Sequence, residues 1–276
     1  MQRQRKNACR SFLYRERDGC GKEKTIKREM NFINSFYNRT KKFHFSLIDP
    51  EDQMPKEAGR KAKLCENYGT DAIMVGGSTI HKIPKQKIYD TIDEIKKSVK
   101  IPTILFPNSA DSITENLEYI FFMSLVNSKD DRFITGEQEK GKILIEKYKI
   151  KPISMAYLIV STSKEPTTVE RMVTLDKIFE NDMEKAAEYA VRAEKAGFKS
   201  IYLEAGSGAE KPVPDEMISR VREKIDIAIV VGGGLRDAKA VKAKIAAGAD
   251  AVVNGTLIEE DKNLNKLRAI IRAVKN

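Results

Sequence analysis

The chain has 276 residues, 41% of them hydrophobic and 33% charged, which suits either one barrel of about 250 residues or two small domains. It contains no run of about 18 apolar residues, so nothing reads as a membrane span, and its Arg-rich start lacks the apolar core of a secretory signal. The net charge is +10, but residues 1–29 hold ten Lys/Arg against four Asp/Glu, so the excess is concentrated at the start.

Residues 1–30 are expected to form a basic, disordered tail, and residues 31–276 a single folded domain. Met30 as an alternative start, and a nucleic-acid or anionic-membrane arm as an alternative use of the tail, stay open. Cys9, Cys20 and Cys65 are odd in number and lack metal-ligand spacing, which fits a reducing cytoplasm.

From residue 43 onward, short apolar runs alternate with longer amphipathic ones. The runs cover residues 43–49, 72–75, 102–106, 119–125, 153–160, 200–204, 227–231 and 251–254. Each is nearly continuous in apolar character, as expected of parallel strands covered on both faces. Helices are predicted from Asn181 or Asp182 to Ala196, over residues 237–247, and over residues 260–274. Eight strands in βα order predict an α/β fold, a closed (β/α)8 TIM barrel. An open doubly wound sheet would carry a Gly-rich turn after strand 1, where this chain has Asp49-Pro50-Glu51. About a dozen residues separate strands 3 and 4, the lower limit for a helical crossover. A loop is therefore expected in place of the third helix, leaving a groove along the barrel flank.

Barrel chemistry sits at the C-terminal ends of the strands. Gly232-Gly233-Gly234 after strand 7 and Gly255-Thr256 after strand 8 are suited to phosphate binding through backbone N–H groups. Strand 6 ends in Glu204, which is placed either to take a proton from a substrate hydroxyl or to pair with a lysine for structure. Asp49 and Ser78, after strands 1 and 2, are a minimal oxygen set for Mg2+, and an ordinary strand-ending turn reads equally well at Asp49-Pro50. With His44 and His81 as the only histidines, a His-driven mechanism is disfavoured. His44 is expected to be packed or surface-facing, and His81 to be a bystander.

Taken in order, several stretches resemble the geranylgeranylglyceryl phosphate synthase family, whose bacterial branch makes heptaprenylglyceryl phosphate. They are Leu47-Ile48-Asp49-Pro50, residues 69–78 ending in Gly76-Gly77-Ser78, residues 104–108 ending in Phe106-Pro107-Asn108, residues 122–128 ending in Asn127-Ser128, residues 202–209 (Tyr202-Leu203-Glu204-Ala205-Gly206-Ser207-Gly208-Ala209), residues 232–236 beginning Gly232-Gly233-Gly234, and Gly248-Ala249-Asp250 through Gly255-Thr256. The resemblance implies a modified barrel with its third helix replaced by a loop, and a prenyltransferase joining geranylgeranyl diphosphate to the C3 hydroxyl of sn-glycerol 1-phosphate. It implies Mg2+ on Asp49 and Ser78. It implies glycerol 1-phosphate on Tyr202, Leu203, Glu204, Ala205, Gly206, Ser207, Gly208, Gly233, Gly234, Gly255 and Thr256, with Glu204 as base and Tyr202 beside it. It also implies a homo-oligomer, dimer or hexamer, in the cytoplasm. Nucleic acid is not expected as a partner, and peripheral membrane contact stays open.

The chain departs from the family pattern in its basic tail and in residues 164–177, which read as a polar loop after strand 5. The Gly76-Gly77-Ser78 loop favours a C20 donor over C35. The competing readings are a heptaprenylglyceryl phosphate synthase, a phosphate barrel of the histidine or tryptophan biosynthesis type, and a nucleic-acid-binding protein.

Overall fold

The computed structural model describes residues 32–259 and 264–275. The expected tail, and the start of the helix expected from residue 260, lie outside the described residues. Eight parallel strands close into a barrel in chain order: β1 (Phe43–Ile48), β2 (Ala72–Gly76), β3 (Thr103–Phe106), β4 (Tyr119–Leu125), β5 (Lys151–Ile159), β6 (Ser200–Glu204), β7 (Ala228–Gly232) and β8 (Ala251–Asn254). Closure is made by β1 on β8, with Ser46 opposite Asn254. All eight strands fall within a few residues of the predicted runs.

Successive side chains of a strand face opposite sides. One set fills the barrel: Phe43 and Phe45 of β1, Met74 of β2, Tyr119 and Phe121 of β4, Met155 of β5, Tyr202 of β6 and Val230 of β7. A short helix, α1 (residues 32–37), closes the end from which the strands start. Its Phe36 is fully buried and meets Phe43 edge-on at 5.7 Å.

The other set packs under the helices α2 (Pro55–Tyr68), α3 (Lys85–Ser98), α4 (Glu137–Tyr148), α5 (Thr168–Met172), α6 (Met183–Ala196), α7 (Asp215–Arg222), α8 (Ala238–Ala246), α9 (Thr256–Glu259) and α10 (Leu264–Lys275). α6 shows how a sequence signal becomes packing. Ala186, Ala187, Ala190 and Ala193 form one buried stripe, small enough to seat the helix close on the sheet, and Gly197 ends it in the left-handed conformation at φ 98°.

Between β3 and β4 lies a single 3-10 turn, Ala110–Ser112, where a full helix would otherwise sit. The gap is lined by Ile120 and Phe122 of β4 and walled by α4 and α5. Residues 164–177 differ from the polar loop expected of them. Thr167 and Glu170 form a capping box that starts α5, and the first turn then presents Val169 inward.

Candidate active site

Two hollows meet at the rim formed by the C-terminal strand ends. The first is an apolar groove running down the flank past Phe106, Ile113, Phe122, Ile145 and Met172. The second is a polar basin over the barrel axis, lined by Asp49, Ser78, Tyr202, Glu204, the loop glycines 206, 208, 233, 234 and 255, Ser207, Thr256, Arg236 and Lys266. Gly77, Ser78, Phe106, Tyr157 and Val169 line both hollows and form the junction between them.

β6 turns Tyr202 and Glu204 toward the barrel interior and Leu203 outward. Leu203 and Ala205 pack in the layer between sheet and helices, so of the predicted glycerol-phosphate residues these two offer the basin no side chain. The other predicted residues all line it, and Asp49 and Ser78 stand at the same rim.

Glu204 is 7% exposed. Its Oε1 accepts the Gly206 backbone N–H at 2.6 Å, and its carboxylate also accepts the Tyr202 hydroxyl. Among the described residues no lysine pairs with it. Burial raises its pKa above the usual glutamate value, and the two hydrogen bonds hold back part of that rise. The Tyr202 and Tyr157 hydroxyls are both pushed well above 10, first by burial and then by the Glu204 charge, so both rings stay neutral donors. Tyr157 stacks edge-on against Tyr202 at 5.3 Å and against Phe106 at 5.7 Å. This aromatic corner stands where the apolar groove meets the polar basin.

Gly233 sits directly against Glu204 at φ 80°, a backbone conformation that disfavours any side chain. Arg236, two residues past this turn, donates to the Glu210 carbonyl at 2.9 Å and the Ala209 carbonyl at 2.7 Å, tying the β7 loop to the β6 loop. The tie crosses sequence segments, and no spacing signal announced it. Thr162 Oγ1 on the Lys211 carbonyl, and Ser163 Oγ accepting Glu210 N–H, tie in the β5 loop as well.

Asp49 makes the strand-ending turn open to it and stands beside the β2 loop. Its Oδ1 accepts the Glu51 N–H at 2.9 Å, as in a strand-ending turn. Its Oδ2 covers Gly77, where a Cβ would overlap it, so the carboxylate reaches the β2 loop beside Ser78. Among the described residues no three His, Cys, Asp or Glu side chains group to hold a metal. One carboxylate and one hydroxyl at an open rim fit a hard cation that draws its remaining ligands from phosphate oxygens and water.

His44, expected to be packed or surface-facing, is fully buried, and His81 lies beside Asn108 at the groove's edge.

A closed parallel barrel with glycine turns on three adjacent strand ends, a buried carboxylate among them and an apolar channel leading in defines a (β/α)8 barrel with an anion-accepting rim. A family model described as the PcrB family matches residues 37–274. The geranylgeranylglyceryl phosphate synthase of Pyrococcus horikoshii is 42% identical over 236 residues, covering 86% of this chain and 91% of the relative. That of Thermoplasma volcanium is 41% identical over 239 residues, covering 86% and 93%. The crystal structure of the Thermoplasma acidophilum (S)-3-O-geranylgeranylglyceryl phosphate synthase in complex with sn-glycerol-1-phosphate superposes with a TM-score of 0.83 at 37% identity, over 89% of this chain and 98% of that one. An N-acetylmannosamine-6-phosphate 2-epimerase from Clostridium perfringens, at 16% identity and a TM-score of 0.50, shares the fold alone. The chain belongs to the PcrB family, that of the geranylgeranylglyceryl and heptaprenylglyceryl phosphate synthases.

Proposed function

We propose that the chain is a prenyltransferase that joins geranylgeranyl diphosphate to sn-glycerol 1-phosphate, forming geranylgeranylglyceryl phosphate and diphosphate in ether-lipid synthesis. One observation carries this reading. The apolar groove and the polar basin open into each other at Ser78, Phe106 and Tyr157, so a long apolar chain and a small phosphate ester can meet there with their reactive ends together.

In this reading the prenyl chain lies in the groove, where each buried CH2 contributes about 0.8 kcal/mol. The phosphate of the glycerol ester rests on the backbone of Gly206, Ser207, Gly208, Gly233, Gly234, Gly255 and Thr256, with Arg236 and Lys266 supplying positive charge at the mouth. Its C3 hydroxyl then faces Glu204. The carboxylate takes the hydroxyl proton as the oxygen forms a bond to the allylic C1. The C1–O bond to diphosphate breaks, and its electron pair leaves with the diphosphate. A glutamate whose basicity is raised by burial is better matched to this task near neutral pH than an exposed one. Tyr202 holds the carboxylate in place through its hydroxyl, and the Phe106–Tyr157 corner keeps water from the reacting carbon. Asp49 and Ser78 would hold Mg2+, whose role when bound is to neutralise the departing diphosphate.

The reading includes a cytoplasmic protein that self-associates as a dimer or hexamer through the β4–α4 flank, where Ile143 is 67% exposed. No helix among the described residues is long and apolar enough to cross a membrane. Incubation with Mg2+, prenyl diphosphates of increasing length and either glycerol phosphate enantiomer tests the reading. Ether product is expected from C20 donor and sn-glycerol 1-phosphate. Preference for a C35 donor would instead favour heptaprenylglyceryl phosphate synthesis, and no transfer from any donor would remove both.

A further inference from the structure

Behind the basin, outside the barrel wall, runs a line of buried polar side chains, of which Asn254 also borders the basin. His44 of β1 and Asn254 of β8 both point outward and are 0% and 4% exposed. The Asn254 amide nitrogen donates to the Leu235 carbonyl at 2.8 Å. Its Oδ1 must therefore accept, and it faces His44 Nε2 at 3.3 Å. That contact assigns the imidazole proton to Nε2. Nδ1 is then the acceptor and faces Thr70 Oγ1 at 2.8 Å, and Ser46 Oγ donates to Thr70 Oγ1 at 3.2 Å. With Thr70 donating to Nδ1 and not to the His44 carbonyl at 3.0 Å, the donors run from Ser46 through Thr70, His44 and Asn254 to Leu235. Leu235 directly follows Gly233-Gly234, and Asn254 directly precedes Gly255-Thr256. The last link of the line is thus the bridge between the two loops that would hold the phosphate.

We propose that His44 is a positioning residue for the anion pocket: through its Nε2–H it fixes Asn254, which clamps the Leu235 carbonyl and sets the β7 loop against the β8 loop. It makes no contact with substrate. The inference rests on the reading of this rim as a phosphate site, but not on which ester that phosphate belongs to. A phenyl ring at position 44 would fill the space and leave Asn254 Oδ1 buried without a donor. A glutamine at position 44 would offer an amide donor in the same direction. An unmet buried acceptor has a cost large enough to shift an affinity about tenfold when it falls on a binding loop.

The test has two parts, each run with inorganic phosphate and with sn-glycerol 1-phosphate as probes. In the native protein carrying 15N-histidine, the His44 ring is expected to show the Nε2–H tautomer, and its nitrogens are expected to shift when either probe binds. In His44→Phe the dissociation constant for both probes is expected to rise about tenfold and KM for glycerol phosphate to follow, with KM for the prenyl diphosphate unchanged. His44→Gln is expected to restore both to within about threefold of the native values. An Nδ1–H tautomer, or ring nitrogens indifferent to a phosphate that demonstrably binds, overturns the inference even if no variant folds. Equal losses for both substrates in His44→Phe, without rescue in His44→Gln, also overturn it. Binding of inorganic phosphate with the expected His44 response, but without turnover of glycerol phosphate, would keep the positioning role and remove the proposed reaction instead.

Discussion

A Cβ placed on Gly233 would lie 2.6 Å from Glu204 Oε1 and 2.7 Å from the Gly206 nitrogen that this same oxygen accepts. The carboxylate and the glycine turn of the neighbouring strand are therefore in contact at one rim of the barrel. Only a residue without a side chain lets the anion loop and the acidic group share that space.

Gly233→Ala is expected to impair the protein twice over. The φ of 80° is strained for alanine, at a cost of about 1–3 kcal/mol, and the new methyl displaces Glu204 or the Gly206 turn. A displacement of about 1 Å at a reacting group can cost about a hundredfold in rate. Urea unfolding and turnover measured on the same preparation check both halves.

Under the proposed reaction, the acid limb of the rate profile reports Glu204. The group works as a carboxylate and its pKa is raised by burial, so kcat/KM is expected to fall as pH drops through a value above that of ordinary glutamates. The slope should be that of one proton. Tyr202→Phe removes a hydrogen bond that favours the carboxylate and is expected to move the limb to still higher pH.

Gly141 of α4 brings no side chain to the groove, and a Cβ there would sit 3.3 Å from Ile113 Cδ1. Gly141→Phe is expected to raise KM for the C20 donor roughly tenfold or more, at about 0.8 kcal/mol for each displaced CH2. KM for glycerol phosphate should hold steady. Two-substrate kinetics with donors of several lengths measure this.

Burial lowers the His44 pKa from 6.5 to about 4, against smaller opposing effects from Asn254 and Asp71, with Lys275 adding to the fall. Between those values the unfolded chain binds a proton that the folded one refuses, so stability is complete above pH 6.5 and is lost as pH falls toward 4. The interval corresponds to about 3 kcal/mol. Urea melts from pH 8 to 4 are expected to show this loss in the native protein and a shallower one in His44→Gln.

The barrel was legible because both faces of its strands are covered, which writes each strand as an apolar run, as in residues 200–204 and 251–254. The missing helix was legible by counting, since the dozen residues from 107 to 118 are the lower limit for a strand-helix-strand crossover. The glycine turns were legible because Gly233 and Gly255 follow strands whose ends were already placed. Other features depended on direction, not identity. Strand alternation sends Leu203 away from the basin, although it lies between two residues that line it. The polar makeup of residues 164–177 hid α5, though Thr167 and Glu170 carry the spacing of a capping box. The Phe106–Tyr157–Tyr202 corner and the His44–Asn254 bridge join strands far apart in sequence. Only closure of the barrel brings them together.

The most direct measurement compares Glu204→Gln with the native protein for both sn-glycerol 1-phosphate affinity and the rate of ether formation. Glutamine keeps the shape of the side chain but cannot take the C3 proton. Affinity should stay within a few-fold, while kcat drops about 10^2- to 10^4-fold, the range typical of a lost general base. A near-native kcat in Glu204→Gln would contradict proton transfer to this carboxylate.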